Sequence, residues 1–468
     1  MSARDGVGTF QLYAHQVRTW HARSVNRRIF SAMVSVGGVV LVVKVAALAK
    51  DVVTASYFGT SDAMDAFLIA FVLPTFAINV IAGSLEAAVV PVYVGVRDAD
   101  GPEAAKQLLS SVLVTSTALL VAMGVVLLII GPLLLPALGA TFVGEKLAMT
   151  RRLFFMLIPL VVVSGSGIVL SSALNANERF LWPAATPIIS SALMLALLFA
   201  KGPQWGVYAL VIGLVGGRVV EGLVLVWRLR AMDLLDWKAW RIRHPGVGQV
   251  LRSFLPVAAG AAVMSNSPLV DQAMASMLGS GSVAGLMYGG KLVGAGLSVA
   301  APAVATVIFP HFAKMVAAED WTAVRHTLRT YGGLILGAGT IVALLIIVFS
   351  APLVRLLFER GAFSPDDTRL VARVQNLFAL QIPFYLLSMV GVRLLTAMRG
   401  TKVVMWVSFC TFVVNVVANL LCMRLWGLPG IALSTSLVYG LSMVLVLWAV
   451  FRRLNALDRR ASSTMEAS

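Results

Sequence analysis

Charge is what this sequence has least of. Of its 468 residues only 12% are Asp, Glu, Lys or Arg, about half the share usual in a soluble domain. Water does not hold so apolar a chain in a folded, separate state, so an ordinary soluble enzyme is excluded. Cysteine is nearly absent: Cys410 and Cys422 lie in one apolar stretch and offer neither a disulfide framework nor metal spacing. The five histidines are scattered, with His15, His21, His244 and His326 in tails or loops and His311 at the end of an apolar run. No phosphate-binding glycine loop, no HExxH and no paired-carboxylate loop occurs. The reading is therefore not an enzyme, with no cofactor, no metal and no ATP bound by this chain. Long outer loops carrying catalytic acids are also missing, which argues against a membrane glycosyltransferase or polymerase. The first 28 residues hold Arg18, Arg23, Arg27 and Arg28 and are too polar for the core of a cleavable signal.

What the sequence does have is apolar runs. Hydrophobic residues make up 59% of it, gathered into stretches near the ~20 residues that cross a bilayer. Twelve spans are expected, near 29–49, 66–94, 108–134, 153–174, 184–200, 206–227, 254–278, 286–312, 331–357, 374–398, 403–423 and 430–451. The net charge of +16 sits in short loops with no basic stripe interleaved with aromatics. It reports topology and anionic membrane lipids rather than nucleic acid. Lys and Arg are more than twice as frequent on the loops sharing a side with the N-terminus. This predicts a multi-pass protein of a bacterial inner membrane with both termini cytoplasmic.

The two halves echo each other. Residues 50–61 (KDVVTASYFGTS) align with 270–281 (VDQAMASMLGSG), matching Asp51 to Asp271 and Gly59 to Gly279. Pro91 then meets Pro310, and WGVYAL at 205–210 meets WGLPGIAL at 426–433. A constant offset near 220 with six spans per half predicts two pseudo-symmetric six-helix lobes around a central cavity. The expected organisation is a basic tail 1–28, an N-lobe 29–227, a cytoplasmic linker 228–252, a C-lobe 253–451 and a tail 452–468.

Charges inside spans are costly and point to function. Lys44, Lys50 and Lys291 are candidates to make the cavity cationic, which suits a diphosphate; snorkelling to the interface is the other reading. Asp51, Glu86 and Asp271 are candidates for ion coupling, through Na+ or H+, or for neutralising a lysine. Arg218 and Glu221, three apart, are read as a structural ion pair. Pro74, Pro91, Pro256, Pro268, Pro302 and Pro383 are expected to bend helices around the cavity.

AKDVVTASYFGTSDAMDAFLIAFVLP at 49–74 resembles the murein-precursor (lipid II) flippase family, MurJ/MviN, of the multidrug/oligosaccharidyl-lipid/polysaccharide exporter superfamily. The likeness continues in VVPVY (89–93), LNANERFLWPA (174–184), VDQAMASMLGSGSVAGLMYGGKL (270–292), LFERGAFSPDDT (357–368) and GLPGIALSTSL (427–437). The resemblance implies alternating access and a basic cavity that holds the pyrophosphate of a polyprenyl-diphosphate-linked saccharide. The family's span-1 arginines fall on Lys44 and Lys50, its span-8 Asp-Arg on Gly290 and Lys291, and its span-2 arginine on Val72. Two further C-terminal spans belong to the family pattern, whereas this sequence ends soon after span 12. The carried molecule is thus lipid II or a surface-polysaccharide repeat unit on the same carrier. The alternative is a cation-coupled multidrug exporter of the same superfamily, which should have an acid-rich, lysine-poor cavity.

Overall fold

The computed structural model describes residues 35–236, 238, 244–264 and 267–466. The expected tail 1–28 and Arg241 and Arg243 of the linker lie outside them. The described chain is helical throughout, because a backbone crossing lipid must satisfy its own hydrogen bonds. In chain order the N-lobe holds α1 (35–58), α2 (Asp62–Ala77), a π-helical turn (Ile78–Ala82), α3 (Gly83–Asp100) and α4 (Pro102–Leu138), then α5 (Gly144–Ala176), α6 (Leu181–Ala185), α7 (Pro187–Trp205) and α8 (Val207–Ala231). The C-lobe holds α9 (Pro245–Met264), α10 (Ser267–Ser276), α11 (Ser282–Ala317), α12 (Trp321–Phe358), α13 (Pro365–Ala379), α14 (Gln381–Ala397), α15 (Thr401–Trp426) and α16 (Leu428–Glu466).

Among the described residues eleven helices, several of them broken, are long and apolar enough to cross a membrane. The described part of α1, residues 35–58, is a further helix that is not one of these eleven. The outer faces carry large apolar side chains such as Leu133, Leu255 and Leu425, each at least 70% exposed, as a surface solvated by lipid requires.

In the N-lobe α5 is central, packed by α2, α4 and α8. In the C-lobe α14 and α16 pack together, flanked by α11, α12, α13 and α15. The seventh span departs from the simple two-lobe division. Its first half, α9, lies mainly along α3 and also touches α4 and α15, while its second half, α10, packs on α11, α15 and α16 as well as on α2 and α4. Both halves of the seventh span therefore contact helices of both lobes.

The repeat is visible in the turns. Gly59 (φ +51°) ends the first span and Gly279 (φ +103°) follows the seventh. Gly206 (φ +54°) and Gly427 (φ +62°) link the fifth to the sixth span and the eleventh to the twelfth. Even Glu178 (φ +59°) and Arg399 (φ +58°) correspond. Each turn needs a left-handed residue, which glycine supplies without a steric cost. Breaks fall near the prolines: α10 begins beside Pro268, the tenth span breaks before Pro383, and the π turn follows Pro74.

Candidate functional site: a basic cavity between the lobes

The first span does not stop at residue 49, where the apolar run ends. Helix α1 continues to 58, so Lys50 and Asp51 stand two turns inside it. They are tolerated there because they are paired. Asp51 Oδ1 lies 3.0 Å from Lys50 Nζ, and its Oδ2 lies 2.8 Å from Lys291 Nζ on α11. One carboxylate thus neutralises two lysines, one from each lobe. It is not matched with Lys44, which shares its helix face.

This cluster lines a chamber of about 360 Å³ walled by α1, α2, α8, α10 and α11. Arg218 also faces it, as do Val72 and Gln272. Two lysines (Lys50, Lys291) share one carboxylate (Asp51) while Arg218 pairs with Glu221, leaving the lining with one uncompensated positive charge. Lys44 is not part of this lining. Six residues earlier, about 9 Å along the helix, it donates to Ser298 Oγ on α11 at 3.1 Å. The expected three-lysine cluster is therefore a two-lysine cluster with Arg218 as the third cation.

Two side chambers join the central one, and Asn79 lines all three. Asn79 sits in the π turn, where the wider helix presents it to the cavity. The N-lobe chamber, about 440 Å³, is bordered by Glu86, Glu221 and Arg218. Arg218 Nη1 is 2.9 Å from Glu221 Oε2, so this arginine both pairs within its helix and faces the cavity. The Glu86 carboxylate has no ion pair or hydrogen bond among the described residues.

The C-lobe chamber, about 520 Å³, holds Asp271. No lysine or arginine pairs with it among the described residues. Asp271 Oδ1 instead accepts from Asn419 Nδ2 at 2.6 Å and from Asn415 Nδ2 at 3.4 Å. Asn415 Oδ1 is buried without a partner, and Thr435 lines the same chamber. Repeat mates therefore differ in chemistry: Lys50 precedes Asp51, whereas Val270 precedes Asp271. Asn79, Asn415 and Asn419 escaped the sequence reading because neutral amides raise no charge alarm. Among the described residues no group of three His, Cys, Asp or Glu could hold a metal ion.

At the end where α1 meets α2, the lobes are closed on each other. Asp65, fully buried on α2, accepts from Gly281 N–H at 2.7 Å and Ala284 N–H at 2.9 Å. It thereby caps α11, using the free N–H groups and positive end of that helix. Lys146 of α5 reaches Asp65 at 3.1 Å and also binds Asp62. Ser276 Oγ donates to Leu138 O at 2.7 Å, and Thr141 Oγ1 donates to Ser276 O at 2.6 Å. The segment 359–364 completes the seal: Ala362 N–H donates to Ser56 O at 2.8 Å, and Thr60 Oγ1 donates to Asp367. The same Asp367 closes a capping box with Ser364 at the start of α13.

A profile described as lipid II flippase MurJ matches residues 54–468. The chain belongs to the MurJ family of lipid II flippases. It is 25% identical over 450 residues to the lipid II flippase MurJ of Burkholderia cenocepacia, covering 91% of this chain and 84% of that one. It is 27% identical over 430 residues to the probable lipid II flippase MurJ of Rhizobium meliloti, covering 89% and 79%. In fold it is similar to a lipid II flippase MurJ in an inward closed conformation (TM-score 0.75, 22% identity, 90% and 89% covered). It is also similar to an inward-facing multidrug MATE transporter (TM-score 0.77, 15% identity, 90% and 98% covered). Of the positions where the MurJ family pattern has basic residues, Lys50 and Lys291 face the central chamber, Val72 lines it as an apolar wall, and Lys44 lies apart.

Proposed function

We propose that this chain flips a polyprenyl-diphosphate-linked saccharide from the cytoplasmic to the outer leaflet of a bacterial inner membrane. The saccharide is that of lipid II or of a surface-polysaccharide repeat unit on the same carrier. The observation that carries this reading is the Lys50–Asp51–Lys291 cluster, which spans the lobe interface. An entering diphosphate offers more anionic oxygens than Asp51 and replaces it as the shared counter-ion of both lysines. Its contacts then depend on how the lobes are set, and only contacts that differ between states can drive alternating access. A multidrug exporter for cations would need the opposite charge in this chamber.

The Lys and Arg bias supports an orientation with the sealed end on the outer side and both termini in the cytoplasm. Reporter fusions after Arg252 and after Arg460 should both read cytoplasmic; an outer signal from either would reverse the assignment. The reading is tested directly by translocation of a polyprenyl-diphosphate saccharide in proteoliposomes, where wild-type protein should move it and protein-free vesicles should not.

The C-lobe chamber supports coupling to a small cation. Asp271, the free Asn415 Oδ1 and the Thr435 hydroxyl are hard oxygen ligands from three different helices, the donor type that Na+ prefers; Asp271 alone would serve H+. Asp271→Asn keeps the shape and removes the charge. Transport by this variant should lose its dependence on Na+ or pH, with protein level unchanged. If the dependence stays as in wild type, Asp271 is a structural carboxylate held by two amides.

A further inference from the structure

The N-lobe chamber has no part in holding a diphosphate, and its lining is hostile to one. Glu86 and Glu221 present two carboxylates against the single Arg218. Yet Arg218 and Asn79 line both this chamber and the central one, so the chamber lies next to any group attached to a diphosphate at Lys50 and Lys291. We infer that the N-lobe chamber is the saccharide subsite of the transported head group, a pocket for a neutral pyranose linked to the diphosphate. This rests on the flippase reading above and specifies which part of the molecule goes where.

Four features fit a sugar ring. Glu86 is an exposed acceptor on the chamber wall with no donor of its own among the described residues, so its carboxylate is free to take donors from a ligand. Sugar hydroxyls supply them, and hydrogen bonds to a charged acceptor are the stronger kind. Thr75 Oγ1 is also buried without a partner, and Ser164 and Ser171 add hydroxyls that donate or accept. Pro183, Pro187 and Phe71 form apolar walls for the C–H faces of a ring. Finally, Gly167 and Gly222 border the chamber, and a Cβ added at either would meet nothing within 4 Å. The space is open, and at about 440 Å³ it falls within the range of small-molecule pockets, about 300–1,000 Å³. The C-lobe chamber is a poorer candidate because its carboxylate is already engaged by Asn415 and Asn419.

The test compares two probes on the purified full chain in nanodiscs: a bare polyprenyl diphosphate and its N-acetylhexosamine conjugate. Wild-type protein should bind the conjugate more tightly. Glu86→Gln, which is isosteric, and Gly167→Leu, which fills the chamber, should weaken the conjugate by about fivefold or more. Both should leave the bare carrier unchanged, which also certifies their fold. Lys291→Ala should weaken both probes. Equal losses on the two probes in the chamber variants, no loss on either, or a wild-type protein indifferent to the sugar would each overturn the subsite. A wild-type protein that binds neither probe would instead sink the flippase reading, and the subsite with it.

Discussion

Lys291→Ala should abolish most translocation while Lys291→Arg retains part of it. Lys291 is the C-lobe half of the charge cluster, 2.8 Å from Asp51. Truncating one partner of a buried charge pair costs about 2–5 kcal/mol. The Lys291 side chain is 34% exposed, so the low end applies, a loss of roughly 30-fold in affinity for the diphosphate. Arginine restores the charge but presents a planar fork in place of a compact ammonium, hence the partial rescue. Asp51→Asn should act in the opposite direction on binding. With the internal counter-ion gone, Lys50 and Lys291 have only the ligand to neutralise them, so affinity rises. Turnover should fall, because Asp51 no longer reclaims the lysines when the ligand leaves. Binding to polyprenyl diphosphate and flipping rate, measured on matched protein, separate the two effects. Wild-type binding and transport in Lys291→Ala would remove the diphosphate from this cluster.

Much of this arrangement is legible in the sequence, for reasons tied to particular residues. The offset that matches Gly59 with Gly279 reflects two turns that both require positive φ. Lys50, Asp51 and Lys291 stand out because lipid penalises charge, and the structure gathers them. What sequence hides is which charges meet. Asp51 and Lys291 lie 240 positions apart, and no periodicity links them. Lys44 carries the same signal as Lys50, yet a turn and a half of helix takes it out of the cavity. Asp65 is the most instructive omission. Near the start of α2, it reads as an ordinary helix-start acid at the membrane boundary. Its partners at Gly281 and Ala284 are 216 and 219 residues away, in the other lobe, and only the folded chain turns it into a buried lock. LFERGAFSPDDT is distinctive in the sequence without an evident burial reason. The structure supplies one, since Gly361, Ala362 and Asp367 all touch the end of the first span or its turn.

That lock leads to the second large effect. Asp65→Ala should tilt the protein toward a state open at the end sealed here. In the closed state the Asp65 carboxylate satisfies two backbone N–H groups of α11 and pairs with Lys146. Without it those N–H groups stay buried and unmade, at about 1–3 kcal/mol each. Once the lobes separate, water reaches them and the penalty disappears. The cost therefore falls on the closed state alone, and about 3 kcal/mol shifts the balance by roughly 150-fold. Gly361→Ala should push the same way by a different route. Its φ is +61°, and an added Cβ would lie 2.2 Å from Ser56 O, a backbone atom that cannot swing aside. The measurement is labelling of a single cysteine at Thr54, which lines the central chamber, by a membrane-impermeant thiol reagent added outside cells. Cys410 and Cys422 are first replaced so that only Thr54→Cys reports. Labelling should be slow in the otherwise unaltered chain and much faster with either Asp65→Ala or Gly361→Ala, while transport drops because the return to the closed state is uphill. If neither variant speeds labelling, the contacts at this end are packing that moves with the lobes, and the seal is held elsewhere.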